Sequence, residues 1–145
     1  MSPQEIADRF AIQDLLVRYC YAIDDRDWKA FARLFTDDAV LDYSAFGAPC
    51  GSAAEMAAYL QGRLPQFAGC QHTISTLLVD IKGDTAFTRT AGLVPILFPT
   101  ATDEPQVSFS GLWYHDTLVR TADGWRFQKR VQVRSWVHNM PQLDN

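Results

Sequence analysis

Hydrophobic positions along the chain follow two different periods, and the change between them falls near His72. In the N-terminal part Ile6, Phe10, Ile12, Leu15, Leu16, Tyr19 and Ile23 recur with helical rather than alternating spacing. Ser2, Pro3 and Glu5 supply a start for this stripe: a cap, a proline at the first helical position and a glutamate that can reach back. The pattern predicts a helix ending at Asp24-Asp25. A shorter helix carries Trp28, Phe31, Leu34 and Phe35 on one face, with Asp27 as its cap. Thr36-Asp37-Asp38 reads as a turn, Ala39 to Tyr43 as a strand, and Ser44 to Gly51 as a loop of small residues. Ser52-Ala53-Ala54-Glu55 is a capping box that opens a third helix with Met56, Tyr59 and Leu60 inward, closed by Pro65 and Gly69.

From His72 onward the texture is that of strands. His72 to Ile81 and Thr85 to Phe98 flank a Lys82-Gly83-Asp84 turn. Gln106 to Thr121 and Trp125 to Val137 flank Ala122-Asp123-Gly124, and the tail from Asn139 reads as loose. Three helices followed by a long antiparallel meander argue an α+β class, with the helices packed on one face of a strongly curved sheet. Such a sheet, shaped as a cone and covered by three N-terminal helices, encloses a concave apolar pocket suited to a small molecule. No repeat, low-complexity tract or linker interrupts the 145 residues, so a single domain over 1–145 is expected.

Composition narrows the partners. Hydrophobic residues make up 48% of the chain, enough for a core, and the net charge of −4 argues against nucleic acid as a partner. Arg120, Arg126, Lys129, Arg130 and Arg134 cluster near the end, but spread over two strands they read as a solvated sheet face. Three cysteines, Cys20, Cys50 and Cys70, without C-x-x-C spacing suit reduced thiols better than a disulfide framework. No apolar run reaches membrane-spanning length, and Ser2-Pro3-Gln4-Glu5 does not begin a signal peptide, so a soluble cytoplasmic protein without a membrane partner is the expectation.

Candidate chemistry is sparse. Asp24, where one helix ends and another begins, is by residue type a cap or a solvated turn residue. A lone histidine at a strand start, His72, is by default structural, and Tyr19 and Tyr43 are by default core aromatics with a hydroxyl to satisfy. His115 and His138 lack the spacings of a metal site, so no metal is expected. Neither a nucleophile elbow nor a glycine-rich phosphate loop is present, and no cysteine has an evident thiolate-stabilising neighbour. A histidine, a carboxylate and tyrosines remain: a proton-transfer set that needs no cofactor.

The chain resembles the SnoaL-like branch of the nuclear-transport-factor-2-like superfamily over about residues 5–137. The resemblance rests on Ile12-Gln13-Asp14-Leu15-Leu16, Tyr19, Asp24-x-x-Asp27-Trp28, Leu41-Asp42-Tyr43-Ser44-x-Phe46, Gln71-His72 and Asp123-Gly124-Trp125. Within that branch it resembles scytalone dehydratase, the bile-acid dehydratase and the hexachlorocyclohexane dehydrochlorinase. The resemblance implies that Asp24 and His72, 48 residues apart, form a catalytic carboxylate–imidazole pair. It also implies that Tyr43 helps to polarise a substrate carbonyl through water, that Phe46 forms pocket wall and that Tyr19 belongs to the site. Arg134 matches an arginine of the bile-acid enzyme. Composition adds Met56, Leu112 and Tyr114 to the pocket wall.

Two departures stand out. Gly92 to Leu97 lacks the second histidine of scytalone dehydratase and the aspartate of the bile-acid enzyme. His115 neighbours Tyr114, and alternation lets only one of them face the cone; the expectation is Tyr114 inward and His115 out. The implied activity is a cofactor-independent lyase of the dehydratase type acting on a small hydrophobic, aromatic or polycyclic substrate. Alternatives are a carbon–carbon lyase releasing a small aldehyde, a double-bond isomerase, and a non-catalytic carrier or assembly subunit. The resemblance further implies a homo-oligomer, a trimer before a dimer.

Overall fold

The computed structural model describes residues 1–142. Helices α1 (Pro3–Asp24), α2 (Trp28–Ala32) and α3 (Ala53–Arg63) accompany strands β1 (Phe35–Asp42), β2 (Cys50–Gly51), β3 (Gly69–Cys70), β4 (Thr73–Lys82), β5 (Thr85–Phe98), β6 (Gln106–Thr121) and β7 (Gly124–His138). The strands form one seven-stranded sheet in the order β2-β1-β7-β6-β5-β3, with β4 also paired to β5. Strands β4 to β7 make the antiparallel meander that their alternation predicts, with Gly83 and Gly124 taking the positive φ of the hairpin turns. Register shifts at Ser75/Leu77, Gly111/Leu112 and Thr117/Leu118 insert extra residues, and such bulges bend and twist a sheet. No helix among the described residues is long and apolar enough to cross a membrane.

Local signals set the helix ends. The Ser2 hydroxyl accepts from the Glu5 amide at 3.1 Å, and Asp27 accepts from the Ala30 amide at 3.0 Å. Both halves of the Ser52/Glu55 capping box form.

Two expectations fail here for tertiary reasons. Phe35 leaves the helical face and begins β1, so the anticipated turn at Thr36–Asp38 is strand. Parallel pairing with β7 brings the Phe35 ring to 5.3 Å from Phe127, and burying that pair outweighs the local turn preference. In α1 the buried face is rotated from the apolar stripe. Ile6 and Phe10 are exposed, whereas Asp8 is buried among Ile12, Leu15 and Leu16.

Asp8 earns that place by its partners. Arg120 donates to both its oxygens at 2.6 and 2.9 Å, and the Trp125 indole N–H donates at 3.0 Å. The Arg120 hydrogen bonds hold the Asp8 carboxyl well below the usual carboxylate range, outweighing the opposite effect of burial. The cluster fastens α1 to β6 and β7 and so fixes the direction in which the far end of α1 points.

The tail from Asn139 is anchored rather than loose as far as it is described. Asn139 Nδ2 donates to the Val107 carbonyl at 2.8 Å, and Gln106 Nε2 donates to the Asn139 carbonyl at 3.0 Å.

Candidate active site

Five helical residues turn the chain by roughly 140°, so Tyr19 and Asp24 cannot share one face of a helix that continues. The chain resolves this by ending α1 at Asp24 and turning away through Arg26, whose φ is 56°. Tyr19 therefore faces the core from the last full turn, while Asp24 presents its carboxylate from the helix end.

The partner arrives from the edge of the sheet. Short strand β3 pairs with β5, and the Gln71 amide donates to the Pro95 carbonyl, which pins the segment just before His72. Asp24 then takes His72 at two points. Its Oδ2 accepts the His72 backbone N–H at 2.7 Å, and its Oδ1 lies 2.6 Å from His72 Nδ1. The Cys70 thiol donates to the same Oδ1 at 3.5 Å. Burial raises the Asp24 carboxyl, but the ring, backbone and thiol donors outweigh it and leave the group below its ordinary value. An ionised Oδ1 requires the proton on Nδ1, so the unengaged nitrogen is Nε2, on a ring that lines the cavity. The side chains are only 11% and 18% exposed, so the contact is shielded from water.

Asp24, Cys70 and His72 offer three ligand atoms within 4.8 Å of one another. Burial pushes the Cys70 thiol up to about 11, so in the metal-free protein it is a neutral S–H donor and not an activated nucleophile. The group is a hydrogen-bonded set around Oδ1.

The cavity above it has a volume of about 210 Å³. Tyr19, Tyr43, Phe46, Leu112 and Tyr114 all line it. The Tyr19 and Tyr43 hydroxyls are 2.5 Å apart, and the Tyr19 ring meets the His72 ring edge-on at 6.4 Å. Burial raises all three phenols, Tyr19, Tyr43 and Tyr114, above their usual range, so each is a neutral O–H at physiological pH. Tyr114 can lie across β5 because residue 92 is glycine; a Cβ there would stand 2.9 Å from Tyr114 Cε2.

Other expected positions differ. Met56 is fully buried in the core and does not line the cavity; α3 presents Tyr59, Leu60 and Arg63 instead. Arg134 pairs with Leu112 across the β6–β7 ladder, but its side chain is exposed near the open end of the strand and Gln132 lines the cavity in its place. His115 is exposed, with Tyr114 inward. Met140 and Pro141, beyond the last strand, complete the rim.

The residue that sequence reasoning misplaced is Arg130. It is 1% exposed, not part of a solvated face. Its guanidinium stacks 4.0 Å from the Tyr19 ring centroid and 3.8 Å from that of Tyr114, and Nε lies 3.2 Å from Asp116 Oδ1. Burial pushes the Asp116 carboxyl up to about 6 against the pull of Arg130 and of the Thr88 hydroxyl, so at neutral pH it is ionised and paired. A fixed positive charge thus stands behind the phenols of the cavity.

Known proteins share this arrangement of elements. A family model described as a SnoaL-like domain matches residues 4–131. An uncharacterised protein of Mycobacterium tuberculosis is 42% identical over 134 residues, which is 92% of this chain and 90% of that one. A solved structure from Kribbella flavida superposes with a TM-score of 0.84 at 27% identity, covering 93% of this chain and 95% of its own. A Novosphingobium aromaticivorans protein provisionally assigned as a scytalone dehydratase gives 0.85 at 20% identity, over 97% and 93%. The hexachlorocyclohexane dehydrochlorinase of Novosphingobium barchaimii gives 0.80 at 18%, over 96% and 94%. At such identities the last two speak for the fold. With residues 4–131 inside the family match and a curved sheet capped by N-terminal helices around a cavity, the chain belongs to the SnoaL-like family, of nuclear-transport-factor-2-like fold.

Proposed function

We propose that this protein is a cofactor-independent lyase of the dehydratase type, with Asp24 and His72 as its acid–base dyad. The observation that carries the reading is the 2.6 Å contact that ties His72 Nδ1 to a shielded carboxylate and leaves Nε2 at an apolar cavity. Neutral Nε2 takes a proton from a carbon next to a carbonyl or at an activated benzylic position. The electron pair moves onto the carbonyl oxygen, which accepts a hydrogen bond from the tyrosine pair. Two phenol hydrogens serve Tyr19 and Tyr43, and one is engaged between them, so the pair offers one O–H to that oxygen. The carbonyl then re-forms, the new double bond closes, and the imidazolium returns the proton to the departing hydroxyl as water. Asp24 stabilises the imidazolium in the interval. Two structural neighbours of the same fold bear names of elimination enzymes, a dehydratase and a dehydrochlorinase, and this reading takes its reaction class from that analogy.

The cavity volume of about 210 Å³ suits a flat substrate of one or two rings, since a cavity near about 150 Å³ takes benzene. Incubating the protein in deuterium oxide with β-hydroxy aryl ketones, followed by mass spectrometry, tests the reaction. Loss of water from the substrate is expected. Deuterium uptake without loss of mass would point to an isomerase, release of an aldehyde to a carbon–carbon lyase, and binding without exchange to a carrier.

The same reading extends to a trimer of identical chains. Leu78, Phe87, Val133 and Trp136 remain exposed on the strands, which supports burial of that surface in an assembly. Light scattering is expected to return three times the chain mass; a monomer at micromolar concentration would refute it.

A further inference from the structure

One charged side chain in the cavity wall has no role in this mechanism. Arg63, at the end of α3, is the only Lys, Arg, Asp or Glu lining the cavity among the described residues. It is half-buried, its guanidinium lies 5.8 Å from the Phe67 ring centroid, and Nη1 donates to the neutral Gln66 amide oxygen at 3.1 Å. It has no carboxylate partner among the described residues. Four of the other nine arginines are ion-paired among the described residues, Arg9 with Glu5, Arg18 with Asp14, Arg120 with Asp8 and Arg130 with Asp116, and what sets Arg63 apart is that it lines the cavity.

A cation at an apolar cavity is costly to desolvate as a ligand enters, unless the ligand brings an anion to meet it. Arginine is the side chain best shaped for that task, because its planar fork takes a carboxylate through two parallel hydrogen bonds. Phe67 beneath the guanidinium limits its directions and lowers the entropy lost on pairing. The dyad cannot serve as the anion site, because Asp24 already places a negative charge behind His72.

We infer that Arg63 is a specificity-determining residue and that the substrate is an organic anion: a flat apolar body with a carboxylate, or an oxyanion of similar shape, at the end remote from the reacting carbon. The dyad and the tyrosines then hold one end of the molecule and Arg63 the other, which fixes its direction in an otherwise greasy cavity. This deepens the lyase proposal and borrows from it only the identity of the cavity as the substrate site.

Binding of a matched pair, 2-naphthoate and neutral 2-naphthamide, tests it without any turnover. Calorimetry supplies affinities, and side-chain NMR of the three histidines reports whether the His72 ring senses the ligand. The parent protein is expected to bind naphthoate at least tenfold more tightly than the amide, with the His72 resonances moving. Arg63→Gln keeps a stem over Phe67 while removing the charge, and is expected to bring the ratio to within about twofold of one with amide affinity unchanged. Arg63→Lys should retain an intermediate preference. Equal affinities in the parent, a preference that survives Arg63→Gln, or binding that leaves His72 unmoved would each overturn the inference. Because no catalysis is measured, the lyase proposal can fail while this one stands, and the reverse.

Discussion

Arg130→Met is expected to lower the free energy of unfolding by about 3–5 kcal/mol, read by urea or thermal denaturation. The change removes a guanidinium that is 1% exposed and leaves Asp116, 4% exposed, without its cation, so the buried carboxyl must either carry an unmatched charge or take up a proton. An unpaired buried carboxylate is among the few causes of losses this large. For a chain of this size the midpoint should fall by roughly 6–20 °C. The loss comes from the orphaned partner and not from a strongly favourable pair, and a multiple variant separates the two. Arg130→Met combined with Asp116→Leu and Thr88→Val removes both charges together with the hydroxyl that donates to Asp116 at 3.2 Å. It is expected to regain most of the loss, because apolar replacements of buried ion pairs are commonly neutral or stabilising. If the combined variant stays as unstable as Arg130→Met, stacking of the guanidinium on Tyr19, Tyr114 and Phe127 is the larger contribution.

The sequence could have signalled this pair from one side only. On β6 the buried stripe runs Leu112, Tyr114, Asp116 and Leu118, so an inward carboxylate calls for an inward cation. On β7 the signal is scrambled. Trp125 and Phe127 face inward, and strict alternation would send Lys129 and Val131 after them. The irregularity that pairs Leu118 with Phe127 but Thr117 with Lys129 inserts Gln128 and turns Arg130 inward instead. A bulge is a tertiary feature with no local mark in this chain. Asp8 was hidden for a related reason: polar residues are assigned to the wet face of a helix, and nothing nearby in sequence announces Arg120 and Trp125 as its partners. By contrast, caps, hairpin turns and strand periods are local, and the helices, the meander and the inward Tyr114 followed from them. Motif similarity supplied what local physics could not, the meeting of Asp24 with His72 across 48 residues.

That meeting supports the second large effect. His72→Ala and Asp24→Asn are each expected to reduce kcat on the dehydrated substrate by roughly 10²–10⁴. The aspartate variant is the sharper test, because it leaves the imidazole in place. Asparagine can turn its amide N–H toward Nδ1, which makes Nδ1 the acceptor and puts the ring proton on Nε2, where a base is required. The variant then has the right ring in the wrong tautomer, and KM should change far less than kcat. Stability supplies the control for folding. The Asp24 carboxyl is held below its ordinary value, so its contribution is present at neutral pH, above the unfolded value of about 3.9, and is lost as pH falls through the lower folded value. The midpoint of Asp24→Asn should therefore trail the parent at neutral pH, with the gap narrowing only as pH falls below about 4 toward the lower folded value. A variant that trails equally across that range has lost packing, not the carboxylate, and its slow turnover would no longer count for the dyad. Full turnover by a folded Asp24→Asn protein would remove the dyad from the mechanism altogether.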